Sequence, residues 1–241
     1  YPKRIGLPFG GYVHPKISTE DMIRRLVDVG MSFATLGIQS GSEYIAHKVY
    51  NRRQSFDSII ELARICEKHG LDICYDLMSN CEYEREEDCR ATLELMTRLP
   101  QPRLVQVKGL GIFPPFRIAS LDFPKVCLPE ATFEFWNTLY LMSRHRDIPA
   151  EQLLALSEDA YLKEHPEILR AVALGLKRLE NANRTHREEL ERLRKEQDAV
   201  SLRGLLRYGK RLAGRTLPRP VVDRIKSLLG QNRAPQHQES S

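Results

Sequence analysis

The sequence predicts an α/β fold in which consecutive βα units form a parallel sheet or part of a barrel, followed by an α-helical C-terminal extension. Three observations predict it. Short apolar runs that include β-branched and aromatic residues alternate with longer segments of helical periodicity, as in parallel sheets covered by helices. The helical segments begin at residues that favour helix starts and end at glycine or before proline. After Pro129 only helical periodicity remains.

The predicted strands are short and mostly apolar, which is typical of buried parallel strands. They cover residues 32–38, 71–78 and 104–107. Consecutive βα units joined by right-handed crossovers place such strands side by side in one sheet. Three strands are too few to close a barrel, so the sequence predicts a partial one.

The helices between these strands are predicted from their ends and their periodicity. They cover residues 19–30, 55–70 and 86–99. The first two follow serine or threonine caps and close at glycine, and the third carries carboxylates in its first turn, where the helix dipole favours them. Further helices are predicted around Trp136 and from Pro166 onward.

Composition excludes several classes of protein. With 41% hydrophobic and 29% charged residues the chain is of ordinary globular type, and no apolar run approaches the roughly 20 residues that span a bilayer. The first residues lack both a signal peptide and an initiator methionine, which suggests a trimmed or partial chain. Five loosely spaced cysteines indicate reduced thiols and a cytoplasmic location, with no close metal-ligand pair.

The chain is predicted to divide into four parts. Residues 1–125 form the βα part, 126–182 a helical extension, 183–230 a charged and basic amphipathic helical tail, and 231–241 a disordered end. The formal net charge of +5 comes from the tail, because residues 201–241 contain nine Lys and Arg against two Asp and Glu.

The tail has leucine stripes beside arginines, as around Leu205 and Arg207. Such stripes suit an anionic membrane surface, but helices that pack back onto the barrel would explain the leucines equally well. The tail does not favour nucleic acid as a partner, because it has no interleaved aromatic residues apart from Tyr208.

The segment after the first predicted strand is the first candidate for a ligand site. In parallel βα folds ligands bind at the carboxyl ends of the strands. Gly37 and Gly41 let the backbone approach a ligand, Gln39 and Ser40 offer hydrogen bonds to hydroxyl groups, and Ser42 caps a following helix. By itself the segment fits an ordinary strand-to-helix turn equally well.

Several motifs in order give this segment more weight. Together they resemble the second half of the radical S-adenosylmethionine (radical SAM) barrel over roughly residues 5–120, most closely in members that often follow a cobalamin-binding domain. The motifs that carry the resemblance are His14-Pro15, residues 37–43 and 49–53, residues 75–80 with Glu84, residues 86–88, Thr92-Leu93, residues 99–102 and residues 111–114.

The resemblance implies a set of cofactor-binding residues. Gln39, with Ser40 and Gly41 beside it, falls on the position that contacts the ribose of S-adenosylmethionine. Asn80 and Glu84 fall in a loop that faces the adenosyl moiety.

Ile112 and Phe113 fall on the apolar contact for adenine, although an apolar pair after a strand is also typical of a core. For His14, near the end of the preceding family strand, a ligand contact and a simple turn role are equally open.

The resemblance also implies cofactors whose ligands are elsewhere. The family's three-cysteine loop, which holds a [4Fe–4S] cluster, would lie before Tyr1, in a missing N-terminal half or a partner chain. A missing N-terminal domain could also bring cobalamin.

The five cysteines cannot replace that loop. Cys66 and Cys89 fall on helices, Cys74 falls in a strand and Cys127 lies beyond the barrel. Cys81 lies near the predicted cofactor site, where a lone thiol is more often structural. Asn80-Cys81 also replaces the family's Asn-Pro, and residues 114–116 replace its Pro-Gly-Thr.

These expectations predict a fragment of a radical SAM enzyme, one that cleaves S-adenosylmethionine to start radical chemistry on an unidentified substrate. The alternative is a non-catalytic binding or scaffold subunit built on a degenerate half-barrel. A third hypothesis is an unrelated βα-barrel enzyme that uses the carboxylates near Glu84. No catalytic residue and no metal ligand is assigned within the chain.

Overall fold

The structure is a computed structural model that describes residues 6–145 and 147–185. These fall in two compact units, 6–145 and 147–185. The first holds a four-stranded sheet in the order β1-β2-β3-β4, in which every neighbouring pair is parallel. The strands are β1 (Phe9–Val13), β2 (Met31–Gln39), β3 (Asp72–Ser79) and β4 (Leu104–Gly109).

Four α-helices accompany the sheet, and two shorter helices of other types lie in the loops. The α-helices are α1 (Glu20–Asp28), α2 (Phe56–Lys68), α3 (Glu86–Arg98) and α4 (Glu130–Met142). A π-helix covers Tyr44–Val49 and a 3-10 helix covers Arg117–Ser120. The predicted α/β fold with a parallel sheet of partial-barrel type and C-terminal helices is confirmed.

The caps expected from the sequence are present. The side chain of Thr19 accepts a hydrogen bond from the Met22 amide at 3.3 Å, and that of Ser55 accepts one from the Ser58 amide at 3.2 Å. At the start of α3 the Asp88 carboxylate accepts one from the Arg85 amide at 2.9 Å, a capping bond that was not predicted from the sequence. Each bond satisfies a backbone donor that the first turn of a helix leaves without a partner.

One strand was not predicted from the residue pattern. β1 is only five residues long and contains Gly10 and Gly11, so it lacks the apolar run that marks β2 and β3. Pairing with β2 makes it a strand, since Tyr12 lies opposite Thr35 in the parallel ladder. The resemblance alone pointed to it, by placing His14 near a strand end.

The two faces of the sheet differ in character. Ala34, Leu36 and Ile38 in β2 are buried, as are Tyr75 and Leu77 in β3, and this is the apolar face. The helices α1, α2 and α4 contact the sheet, and α3 packs beside α4.

The opposite face is here called the polar face. Strand register and the two-residue period place on it Tyr12, Thr35, Gly37, Asp76 and Lys108. The polar face therefore carries charged and hydroxyl groups.

The second unit is helical where the structure describes it. It contains α5 (Ala150–Ser157), α6 (Ala160–Glu164) and α7 (Pro166–Thr185), and α7 begins at Pro166 as predicted. Among the described residues no helix is both long and apolar enough to cross a bilayer.

The four-part domain division stays a prediction, and α4 belongs to the first unit. Apart from residues 183–185, which end α7, the predicted basic tail and disordered end lie outside the described residues.

Candidate functional site

Gln39 ends β2 in a conformation unusual for its residue type. Its φ of 67° lies in the left-handed region, and the ladder between β2 and β3 shifts register between Gly37 and Gln39. The side chain is buried, and its Nε2 lies 2.9 Å from where a Cβ on Gly37 would stand. The bulge thus directs the Gln39 amide back over the polar face, where Gly37 leaves room for it.

Arg52 reaches the same place from the next loop. Its Nη1 lies 3.3 Å from the position of a Cβ on Gly37, and its backbone amide donates to the Ala46 carbonyl at 2.7 Å. No role was assigned to Arg52 from the sequence. Its place in the 49–53 motif was the only signal that could have pointed to it.

His14 follows β1 and lies in the electrostatic field of Arg52. Burial, then the Arg52 and Lys16 charges, lower the pKa of His14, so its imidazole is neutral at pH 7. Its ring Nδ1 accepts from the Lys16 amide at 3.1 Å, and its own amide donates to the Ser18 hydroxyl at 3.0 Å. These bonds support the turn interpretation of His14.

Ser40 and Gly41 dock their loop against α3. The Ser40 and Thr92 hydroxyls are 3.3 Å apart, and the Gly41 amide donates to the Thr92 hydroxyl at 2.9 Å. A Cβ on Gly41 would stand 2.6 Å from the Ala91 carbonyl oxygen. Ser40 is fully buried, so these contacts give both residues a packing role. A direct contact of either with a ligand stays a prediction.

Ser42 completes this docking. Its hydroxyl donates to the Asp88 carboxylate and accepts from the Ile45 amide at 3.3 Å. The bond from the Ile45 amide agrees with the predicted capping role, although the following helix is a π-helix whose N-cap residue is Glu43. The first turn of α3 thereby fixes the loop that presents Gln39.

Asn80 follows β3 directly and is exposed. Its φ of 61° is again left-handed, a conformation that asparagine tolerates better than most residues. The Asn137 amide donates to its Oδ1 at 3.5 Å. Asn80 therefore offers a polar group at the same edge of the sheet as Gln39.

Glu84, by contrast, is buried. Burial, reinforced by the charge of Asp88, raises the pKa of its carboxyl group to about 8, so the group is mostly protonated at neutral pH. Its amide donates to the Cys81 carbonyl at 3.0 Å, which closes the loop after β3. That bond agrees with the predicted loop-holding part of its role. A contact with the adenosyl moiety stays a prediction.

The buried Glu84 also bears on the third hypothesis, carboxylate catalysis near this loop. Asp88 is buried as well, and its carboxylate is engaged by Ser42 and by the Arg85 amide. Paired general acids and bases need to reach a substrate. The Asp88 carboxylate instead holds the loop after β2 and the start of α3, and the Glu84 carboxyl group is withdrawn from solvent.

Cys81 lies in a buried cluster with Ile45, Val49 and Tyr83. Burial raises the pKa of its thiol to about 11, which keeps it protonated. The structural interpretation of Cys81 is therefore supported.

The other cysteines lie where the sequence placed them. Cys66 and Cys89 are on helices, Cys74 is in β3, and all three are buried, whereas Cys127 is exposed beyond β4. Within residues 6–145 and 147–185, no cluster of His, Cys, Asp and Glu could hold a metal ion. The cysteine set does not fit a [4Fe–4S] cluster, which needs several convergent thiolates.

The loop after β4 presents aromatic rings. Phe113 is 59% exposed and Ile112 is half-buried, so Phe113 is not a core residue. The ring centroids of Phe113 and Phe116 are 5.9 Å apart. Behind them, the Tyr83 hydroxyl donates to the Ile118 carbonyl at 3.3 Å and anchors the loop.

An ion pair on the polar face was also missed. Lys108 Nζ lies 2.8 Å from Asp76 Oδ1, between the adjacent strands β4 and β3. Asp76 falls inside a predicted strand, but Lys108 lies one residue beyond the predicted strand 104–107. The pairing follows only from the register, which puts Lys108 opposite Met78.

Three of the candidate residues lie at one edge of the sheet. Gln39 ends β2, Asn80 follows β3 and Phe113 follows β4, and in a parallel sheet these strand ends share an edge. Arg52 joins them through its approach to Gly37. The fold and this edge define a βα domain of the type that binds a ligand at the carboxyl ends of its strands.

Comparison with known families identifies the class more closely. The family model of the radical SAM superfamily matches residues 5–96, a span that includes β1 to β3 and most of α3. This segment of the chain is therefore similar to the radical SAM superfamily. The match includes Gln39, Arg52, Asn80 and Glu84, whereas Phe113 lies beyond it. A search of curated proteins found no significant match.

Proposed function

We propose that this chain binds S-adenosylmethionine at the carboxyl edge of its sheet and contributes the nucleoside-binding part of a radical SAM enzyme. The observation that carries the proposal is the convergence of the Gln39 amide and the Arg52 guanidinium at Gly37. The superfamily match supports the choice of ligand, because its members generally use this cofactor.

The side chains at the edge suit the parts of that ligand. The Gln39 amide can bond the ribose hydroxyls, and the exposed Asn80 amide can bond the adenine or the ribose. Arg52 offers a planar cation for the carboxylate of the methionine moiety. Phe113 exposes an aromatic ring against which adenine can stack.

In this proposal the ligands of the iron–sulfur cluster come from a partner segment or subunit. Cys66, Cys74, Cys81 and Cys89 are buried, and the pKa values of their thiols are raised, mainly by burial. In radical SAM enzymes the cluster supplies the electron that cleaves the cofactor. We therefore propose a partner segment or subunit that carries the cluster loop. No described residue bears on cobalamin, which stays a prediction of the resemblance.

The alternative, a non-catalytic scaffold subunit, would have the same fold but would not bind S-adenosylmethionine. The poor fit of the cysteines to a cluster favours it, since a subunit without redox chemistry needs no such loop. A scaffold would keep the sheet and its loops but would have no reason to bind S-adenosylmethionine. Ligand binding therefore separates the two proposals.

Titration calorimetry on the full chain with S-adenosylmethionine tests the proposal. We expect saturable binding, weakened about tenfold in Gln39→Ala, because a lost ligand hydrogen bond costs about 1.4 kcal/mol. Ser32→Ala is the matched control, since Ser32 is exposed near the other end of β2. Folded wild-type chain without saturable binding would favour the scaffold, and equal losses in both variants would remove Gln39 from the site.

A further inference from the structure

Lys108 forms an ion pair with Asp76 whose geometry suits ligand binding better than a purely structural link between two strands. Their side chains form an ion pair at 2.8 Å, in which the Asp76 side chain is 12% exposed and that of Lys108 is 53% exposed. The carboxylate raises the pKa of Lys108, so the lysine stays charged. An ammonium group has three donors, and the ion pair orients it while leaving it accessible.

The ion pair lies on the polar face close to the edge that carries the proposed cofactor site. Lys108 is the last residue but one of β4, and the register places Asp76 beside Gly37, where Gln39 and Arg52 converge. The ion pair and the residues that converge at Gly37 therefore lie on the same face of the sheet.

A second ion pair, near the starts of the same two strands, provides a comparison, because it has the features of a purely structural link. Arg103 and Asp72 pair at 2.9 Å near the starts of β4 and β3, and both side chains are at least half exposed. Such exposed pairs contribute little to stability. The Asp76 carboxylate is instead largely buried, and removing its charge from water costs free energy. The attraction to Lys108 offsets only part of that cost, because the lysine side chain is half exposed to solvent.

We infer that Lys108 binds an anionic group of the substrate, a carboxylate or a phosphate, and that Asp76 is the residue that positions it. The charged side chains on the polar face are consistent with anion binding. Asp76 is neutralised by its partner, and Arg52 adds a second cation, so the region attracts anions. The inference rests on the proposed function, because it takes the region beside the cofactor residues as the place of the substrate.

Binding of inorganic phosphate to the full chain provides the test, followed by NMR of lysine side chains labelled with nitrogen-15. We expect saturable shifts of the Lys108 signal in the wild type. We expect affinity to fall about tenfold or more in Lys108→Met and to stay within about threefold in Lys108→Arg, because a charge-assisted hydrogen bond is worth about 1.5 to 3 kcal/mol. Arg103→Met is the matched control and should bind phosphate as the wild type does.

The inference is overturned if phosphate does not saturate, if Lys108→Met binds it as well as the wild type, or if Arg103→Met loses as much affinity. Circular dichroism checks folding, and Lys108→Gln takes the place of Lys108→Met if that variant does not fold. Calorimetry with S-adenosylmethionine on the same samples separates the two proposals. Lys108-dependent phosphate binding without S-adenosylmethionine binding overturns the proposed function alone, and the reverse result overturns this inference alone.

Discussion

The side-chain amide of Gln39 lies 2.9 Å from the point where a side chain would begin on Gly37, two residues earlier in the same strand. The contact exists because the bulge and the left-handed φ of Gln39 fold its side chain back over the polar face. A residue with no side chain thereby sets the position of a proposed ligand contact.

Gly37→Ala should displace Gln39 and weaken S-adenosylmethionine binding while leaving the fold largely intact. The added methyl group would meet the mobile end of a side chain and the Arg52 guanidinium, so the groups can move aside without unfolding the sheet. We expect a loss of affinity of about tenfold by calorimetry. Gly109→Ala, at the end of β4 with open space around its Cβ position, is the matched control. Unchanged affinity in Gly37→Ala would contradict the role given to Gln39.

Gly41→Ala should act on stability instead. Its methyl group would stand 2.6 Å from the Ala91 carbonyl oxygen and from Thr92 Cα, both backbone atoms of α3 that cannot move independently. We expect a loss of about 1 to 3 kcal/mol in urea unfolding, as for other overpacked sites. Gly11→Ala should lose less, because its Cβ position has only an ordinary contact with the Met31 side chain. Equal losses in both variants would show that the loop does not dock on α3 as described.

The buried carboxyl group of Glu84 should make stability depend on pH. Its pKa is about 8 in the folded chain and near 4.5 when unfolded, so the folded state binds the extra proton between these values. Stability should therefore fall as pH rises from about 4.5 to about 8, by an amount on the order of a few kcal/mol, and level off above that.

Glu84→Gln isolates that contribution. It should flatten the pH dependence of the free energy of unfolding and should be more stable than the wild type at pH 8, because a neutral amide carries no burial penalty for ionisation. Glu61→Gln, on the exposed face of α2, should follow the wild-type curve. A Glu84→Gln curve parallel to that of the wild type would mean that the carboxyl group is already ionised in the folded chain.

Thiol labelling should separate the cysteines by burial. Cys127 is exposed, whereas Cys81 is completely buried and its pKa is raised to about 11. Iodoacetamide at neutral pH should modify Cys127 first and leave Cys81 unmodified until the chain unfolds. Mass spectrometry of the peptides measures this, with urea-unfolded chain as the reference. Rapid labelling of Cys81 in the folded chain would contradict its place in the buried cluster.

Local sequence signals predicted much of the fold. The caps at Thr19 and Ser55 and the apolar runs of β2 and β3 act over a few residues, so periodicity and residue type were enough to find them. The residue pattern did not predict β1, because this strand is very short and contains two glycines. It is a strand because it pairs with β2.

The sequence by itself determined the order of strands and helices and the placement of Gln39, Asn80 and Phe113 after successive strands, because these depend on neighbours along the chain. Only the tertiary structure decided that Arg52 meets Gln39 at Gly37, that Asp76 pairs with Lys108, and that Glu84 is buried. Such contacts join residues distant in sequence. They follow from strand register and from which groups lose water on packing, and neither is encoded by a local pattern.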